Sequence, residues 1–157
     1  MIIRRLEDAD FDAFNSTFRA SLEEYLQFLK DRSPEEYSQQ LRERKEANPS
    51  SFHYFARTGS SFVAEQDGRT VGFILGHTLP PVGGSKELAI AYIAVQTQFR
   101  RQRIALTLLQ RLLKHAKEPR IDRVYATINP DNEPSIRLHA KAGFKVLDWK
   151  VAWHEAT

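Results

Sequence analysis

From residue 88 to residue 95 the chain reads LAIAYIAV, a nearly unbroken apolar run bounded by polar residues. A strand with one wet face alternates polar and apolar residues, so a run this short and continuous predicts a strand buried on both faces. A polar turn follows at once, Gln96-Thr97-Gln98-Phe99-Arg100-Arg101-Gln102-Arg103. Beyond it, Ala105, Leu108, Leu109, Leu112, Leu113 and Ala116 share one helical face, with Gln110, Arg111 and Lys114 turned away. A buried strand that feeds directly into an amphipathic helix implies a sheet with helices packed on its faces.

The rest of the chain fits that frame. Residues 2–6 predict a first strand. A helix follows, capped by Asp8 or Asp10 and carrying Phe11, Phe14, Phe18, Leu22, Tyr25, Leu26 and Leu29 at helical spacing. Ser33-Pro34-Glu35-Glu36 starts a second, mostly polar helix that fades near 47–51. Residues 62–66 and 71–77 predict strands flanking the turn signal Asp67-Gly68. Residues 79–85, with two prolines and two glycines, read as a loop. Residues 124–128 predict another strand. Asn132 and Pro134 open a short helix that Gly143 closes, and 144–153 reads as one or two strands. The order β, α, α, β, β, β, α, β, α, β predicts one α/β (α+β) domain over 1–157 with a mixed sheet.

Composition narrows the function. With 41% apolar residues and no cysteine, the core needs no disulfide, and a thiol nucleophile is excluded. No apolar run reaches membrane-spanning length and the N-terminus lacks a signal-peptide core, so a cytoplasmic protein is expected. The five histidines are scattered without ligand spacing, so no metal is expected. The net charge of +3 is mild, with 23 basic against 20 acidic residues. A nucleic-acid role for the basic stretch 100–117 and the aromatic group Phe52, His53, Tyr54 and Phe55 has no recognised motif behind it. The local crowding of Arg100, Arg101 and Arg103 at a helix start suits a polyanion instead. Free backbone N–H groups and the helix dipole make that end positive, which suits a diphosphate; the alternative is an ordinary strand-to-helix turn with solvated arginines.

Two stretches carry a resemblance. Arg100-Arg101-Gln102-Arg103-Ile104-Ala105 resembles the signature that the GNAT acetyltransferases carry after their fourth strand, with Arg103 where the family usually has glycine. Asn132-Glu133-Pro134-Ser135-Ile136-Arg137-Leu138-His139, ending in Gly143-Phe144, resembles the later GNAT motif, in a form most like the phosphinothricin acetyltransferase branch. The resemblance implies the GNAT fold, with about six to seven strands, about four helices, and a splay between the fourth and fifth strands. It implies an acetyl-CoA-dependent N-acetyltransferase acting on a primary amine of a small molecule or protein in a ternary complex. A non-catalytic GNAT-like module that binds CoA or a ligand is the alternative.

The same resemblance implies site residues. Ile93, Ala94 and Val95 would pair with pantetheine, and Arg100, Arg101, Gln102, Arg103, Ile104 and Ala105 would hold the diphosphate. Asn132, Ser135 and His139 would also contact the cofactor, with His139 as the proton donor to the departing thiolate. Glu87, Tyr92 and His77 are candidates for the general base. The acceptor would be framed by the N-terminal helices and the 79–85 loop, with Glu23, Glu24, Glu35 and Glu36 nearby. Trp149, Val151 and Trp153 share a face of the last expected strand; this face is core or a homodimer edge.

Overall fold

In a computed structural model, residues 1–43, 46–152, 154 and 156 are described, Phe28 without its side chain. The contacts divide the chain into two units, Met1–Thr127 and Ile128–Thr157.

The first unit holds one sheet of strands β1 (Ile2–Arg5), β2 (Phe62–Gln66), β3 (Arg69–Leu79), β4 (Glu87–Val95) and β5 (Arg123–Ala126), in that spatial order. The first four are antiparallel neighbours, and β4 pairs parallel with β5. A parallel pair needs a long crossover, here helix α4 (Ile104–Ala116). Asp67 and Gly68 both have positive φ, 52° and 73°, the backbone of the tight β2–β3 hairpin that Asp-Gly predicts. Helices α1 (Phe11–Arg32) and α2 (Pro34–Glu43) follow β1 as expected.

A third helix, α3 (Pro49–Arg57), stands where the sequence reading let the second one fade. Its signals were present: the Asn48 side chain accepts from the Ser51 N–H at 3.0 Å, and Pro49 occupies the first turn. Phe52 is buried as its anchor.

The long strand β3 shows why both faces are covered. Phe73 and Leu75 pack with Leu6, Phe14, Phe52 and Val63 against α1 and α3. Gly72 and Gly76 lie under α4, where an added Cβ at Gly72 would sit 3.2 Å from both Ile104 and Leu108. The absent side chains let the helix approach the sheet closely. At the sheet edge, Arg4 forks onto Asp10 at 2.7 and 2.9 Å and also reaches Glu65 at 2.9 Å. Asp10 is buried, so this pair compensates a charge that water cannot reach.

At the end of α4, His115 is buried, with Nε2 3.2 Å from the Ser60 hydroxyl and its ring against Phe62. Burial first, then the charges of Arg5 and Arg111, lower its pKa from the ordinary 6.5. The unfolded chain therefore binds this proton more readily. Its contribution to stability is complete above about 6.5 and is lost as pH falls through the lower folded value. Denaturant midpoints measured from pH 7 down to pH 5 should fall more steeply for the wild type than for His115→Gln. Equal slopes would refute this assignment.

The second unit holds α5 (Glu133–Lys141). Asn132 caps it by accepting from the Ser135 N–H at 3.2 Å. Gly143, at φ 93°, ends it. The Gly143 N–H reaches the Ala140 carbonyl and the Phe144 N–H reaches the His139 carbonyl, both at 3.0 Å, which is a Schellman stop.

The expected closing strands do not form among the described residues: 144–152 carry no ladder. Among the described residues the sheet thus has five strands, and there are five α-helices, against an expectation of six to seven and about four. Apolar–polar alternation makes a strand only when a sheet edge pairs with it, and here Trp149 and Val151 are 79% and 71% exposed. The reading of that face as core is therefore corrected for these two residues. Trp153 lies outside the described residues.

Candidate active site

The site begins where β4 loses a neighbour. β5 pairs with Glu87, Leu88, Ala89 and Ile90 and goes no further. At that point the β3–β4 register shifts: Leu75 faces Tyr92 while Gly76 faces Ile90, leaving Ala91 as an extra residue. Beyond this bulge, β4 keeps β3 on one side and has no β5 pairing on the other.

Backbone groups along a strand alternate sides. The Gln96 N–H bonds the Val71 carbonyl, on the β3 side, at 2.8 Å. The Ala94 carbonyl also points there, 3.3 Å from where a Gly72 Cβ would lie. Ala94 is thus engaged with β3, and the backbone groups of Ile93 and Val95 face the open edge.

The open edge leads into the arginine turn. Arg101 and Arg103 both adopt left-handed backbone, φ 60° and 61°. Arg103 therefore takes the shape in which glycine costs least, at a penalty of about 1 kcal/mol for a residue with a Cβ. Its side chain is exposed and makes no capping hydrogen bond. The first helical bond of α4 runs from the Thr107 N–H to the Arg103 carbonyl at 2.9 Å. The amides of Ile104, Ala105 and Leu106 precede it, and the first turn holds no acidic residue. Ile104 is buried under Gly72 and fixes the start of the helix against the sheet. Gln102 is held by Gln66 at 3.3 Å.

Arg100 lies differently from its neighbours. Its Nη1 donates to Glu24 at 2.6 Å and its Nε to the Val95 carbonyl at 3.4 Å. Thr97 also donates to Glu24, at 3.0 Å. Glu24 is thus a partner of the turn that sequence reading did not find, because the contact spans 76 residues.

The base candidates separate along β4. Glu87 pairs with Arg123 at 3.6 Å on the closed section, six residues or roughly 20 Å of strand from Ile93. His77, opposite Ala89, accepts or donates to the Tyr54 hydroxyl at 3.1 Å and lies at the same closed end. Tyr92 adjoins the open edge, its ring against Phe14 and Phe18. Its hydroxyl is buried without a hydrogen-bond partner; Ser21 is close enough to favour ionisation but misses hydrogen-bond geometry. Burial dominates and pushes the phenol's pKa up, so Tyr92 keeps its proton at neutral pH and suits a donor rather than a base.

Within the second unit, His139 is buried on α5. Its Nδ1 lies 2.8 Å from the Ser135 carbonyl and 3.4 Å from the Ser135 hydroxyl, and its ring meets Phe144 edge-on. A carbonyl only accepts, so Nδ1 carries the proton. Nε2 is buried without a partner.

Among the described residues, an open strand edge thus leads into an uncapped, arginine-flanked helix start. The sequence model of the acetyltransferase (GNAT) family matches residues 18–144, and the chain belongs to that family. It is 37% identical over 101 residues to an N-alpha-acetyltransferase of Sulfurisphaera tokodaii, covering 59% of each chain. It is 33% identical over 82 residues to the L-2,4-diaminobutyric acid acetyltransferase of Nocardia farcinica, covering 52% of this chain and 42% of that one. The chain thus spans about half the length of these curated relatives. In fold it is similar to the ribosomal-protein-alanine N-acetyltransferase of Brucella melitensis biovar Abortus 2308, with a TM-score of 0.68, 20% identity and 99% of each chain covered. Among the described residues, no helix is long and apolar enough to cross a membrane.

Proposed function

We propose that this chain transfers an acetyl group from acetyl-CoA to a primary amine of a small molecule or protein, by direct attack within a ternary complex. The observation that carries this reading is the junction of β4 and α4. An unpaired strand edge and an uncapped helix N-terminus meet there, matching a ligand with a peptide-like arm and a diphosphate. The left-handed backbone at Arg103 answers the missing motif glycine, since the turn keeps the glycine shape.

In this reading the amides of Ile104, Ala105 and Leu106 hold the diphosphate, and Arg100, Arg101 and Arg103 add full positive charge. Gln102 keeps the turn in place. The Ile93 and Val95 backbone groups pair with the pantetheine arm as an added strand would. When bound, acetyl-CoA supplies the activated acyl group. An N–H at that edge polarises a carbonyl without any side chain. The relatives' names support an amino-group acceptor and give no support to the phosphinothricin branch in particular.

His139 is the proposed proton donor to the leaving sulfur, as its place in the second motif implies, with Asn132 and Ser135 holding its helix start. The resting tautomer leaves Nε2 without a proton, so only the imidazolium can donate from that atom. His139→Ala should lower kcat at least roughly tenfold with little change in the KM for acetyl-CoA. Unchanged turnover and an unchanged pH profile would remove the role.

Calorimetric titration with acetyl-CoA should show saturable binding, and thiol release should appear with at least one member of an amine panel. Binding without thiol release leaves a non-catalytic CoA-binding module. No binding overturns the reading altogether.

A further inference from the structure

The contact between α1 and the arginine turn has a geometry that cofactor binding cannot leave intact. Arg100 lies across the open edge, with its Nε on the Val95 carbonyl, and is held there by Glu24. Val95 is one of the two residues whose backbone must pair with an incoming arm. The Arg100 guanidinium must therefore leave when the arm arrives, and a diphosphate at the α4 start is a doubly charged alternative partner for it.

What Arg100 leaves behind is a carboxylate at the wall of a groove. An open groove of about 460 Å³ is lined by Ala20, Glu23, Glu24, Tyr37, Leu41 and Thr97. Its two charged groups among these are both acidic. While Arg100 is in place, one of them is neutralised. Once it has moved, Glu24 and Glu23 face the groove together, with the Tyr37 ring and the Leu41 side chain as its apolar part.

We propose that Glu24 recognises a second cationic group on the acceptor, and that Arg100 is its removable counter-ion, displaced by the cofactor. The favoured acceptor is then a diamine or a similarly dicationic amine: one ammonium rests on Glu24 while the other nitrogen, deprotonated, is acetylated. Cofactor binding uncovers the acceptor's anchor, so the cofactor binds first and raises amine affinity. By linkage the amine raises cofactor affinity by the same factor. This proposal rests on the acetyl-CoA reading above.

The test compares wild type with Glu24→Gln, whose side chain is about half exposed and can change without unfolding the protein. Coenzyme A alone should bind Glu24→Gln roughly twofold to fivefold more tightly than wild type, because an exposed ion pair no longer competes for Arg100. Wild type should prefer 1,4-diaminobutane to butylamine by roughly tenfold to a hundredfold, in calorimetric affinity with coenzyme A bound and in kcat/KM with acetyl-CoA as donor. Glu24→Gln should show almost no preference. The same preference in both proteins, or none in wild type that binds coenzyme A, overturns the proposal and leaves the acetyl-CoA reading standing. Failure of wild type to bind coenzyme A overturns both.

Discussion

Replacing Ala105 by glutamate should weaken acetyl-CoA binding by about two orders of magnitude while the protein stays folded. Ala105 sits in the first turn of α4, which has no acidic residue and no side-chain cap. A carboxylate there gains about 0.3–1 kcal/mol from the helix dipole, which offsets part of the cost of placing it at a half-buried position. The same carboxylate puts a negative charge in the turn whose amides are assigned to the diphosphate. Two unit charges about 6 Å apart repel by about 3 kcal/mol at an effective dielectric of about 20, which corresponds to roughly a hundredfold in affinity. Loss of binding in a protein that stays folded separates a ligand site from a merely structural helix start. Arg103→Gly is the companion control. It relieves the left-handed strain and should raise stability by about 0.5–1 kcal/mol, and any loss of affinity then measures the arginine's own contact with phosphate. Calorimetry and thermal melts on the three proteins decide the matter. Undiminished affinity in Ala105→Glu would move the cofactor away from this helix.

Gly76→Ala should cost about 3 kcal/mol of stability, near the upper end for an overpacked site. The new Cβ would lie 2.7 Å from the Ser60 carbonyl oxygen, 3.0 Å from Leu112 and 3.2 Å from Leu88. The leucine methyls can give way, but the backbone of Ser60 has little freedom. Thr58 donates to the Gly76 carbonyl at 2.8 Å, the Gly76 N–H donates to the Ser61 hydroxyl at 3.1 Å, and the Ser61 carbonyl accepts from the Leu6 N–H at 3.0 Å. The segment before β2 is thereby bound to β3 on one side and to Leu6, just after β1, on the other. For a chain of this size the expected loss is a melting temperature lower by about 10 °C. Gly83→Ala, with nothing near its added Cβ, should leave the melt unchanged. A shift below about 2 °C in Gly76→Ala would mean the 58–61 segment yields more readily than its hydrogen bonds suggest.

Much of the site was legible because it depends on local chemistry. The apolar run ending at Val95, the polar turn and the amphipathic helix fix the strand, the turn and the helix start in order. Asn132, Pro134 and Gly143 mark the ends of α5 by capping rules alone. Helix α3 was legible in principle, since Asn48-Pro49 is a cap and a first-turn proline. The polar stretch before it hid the boundary between two helices.

What only the tertiary structure decided are the features that need two distant segments. The end of β5 pairing at Ile90 and the bulge at Ala91 set which backbone groups of β4 are open, and ladder register depends on neighbours rather than on the strand's own residues. The Glu24 contact to Arg100 and the burial of the Tyr92 hydroxyl against α1 join residues far apart in the chain. The failure of 144–152 to form a strand has the same cause: alternation along the chain states a preference, and only a paired edge realises it. The sequence by itself determined the order of elements and the positive helix start, because those follow from short-range spacing and charge. The fold decided which amides stay free, which arginine is restrained and which carboxylate waits behind it, because those are set by what packs against them.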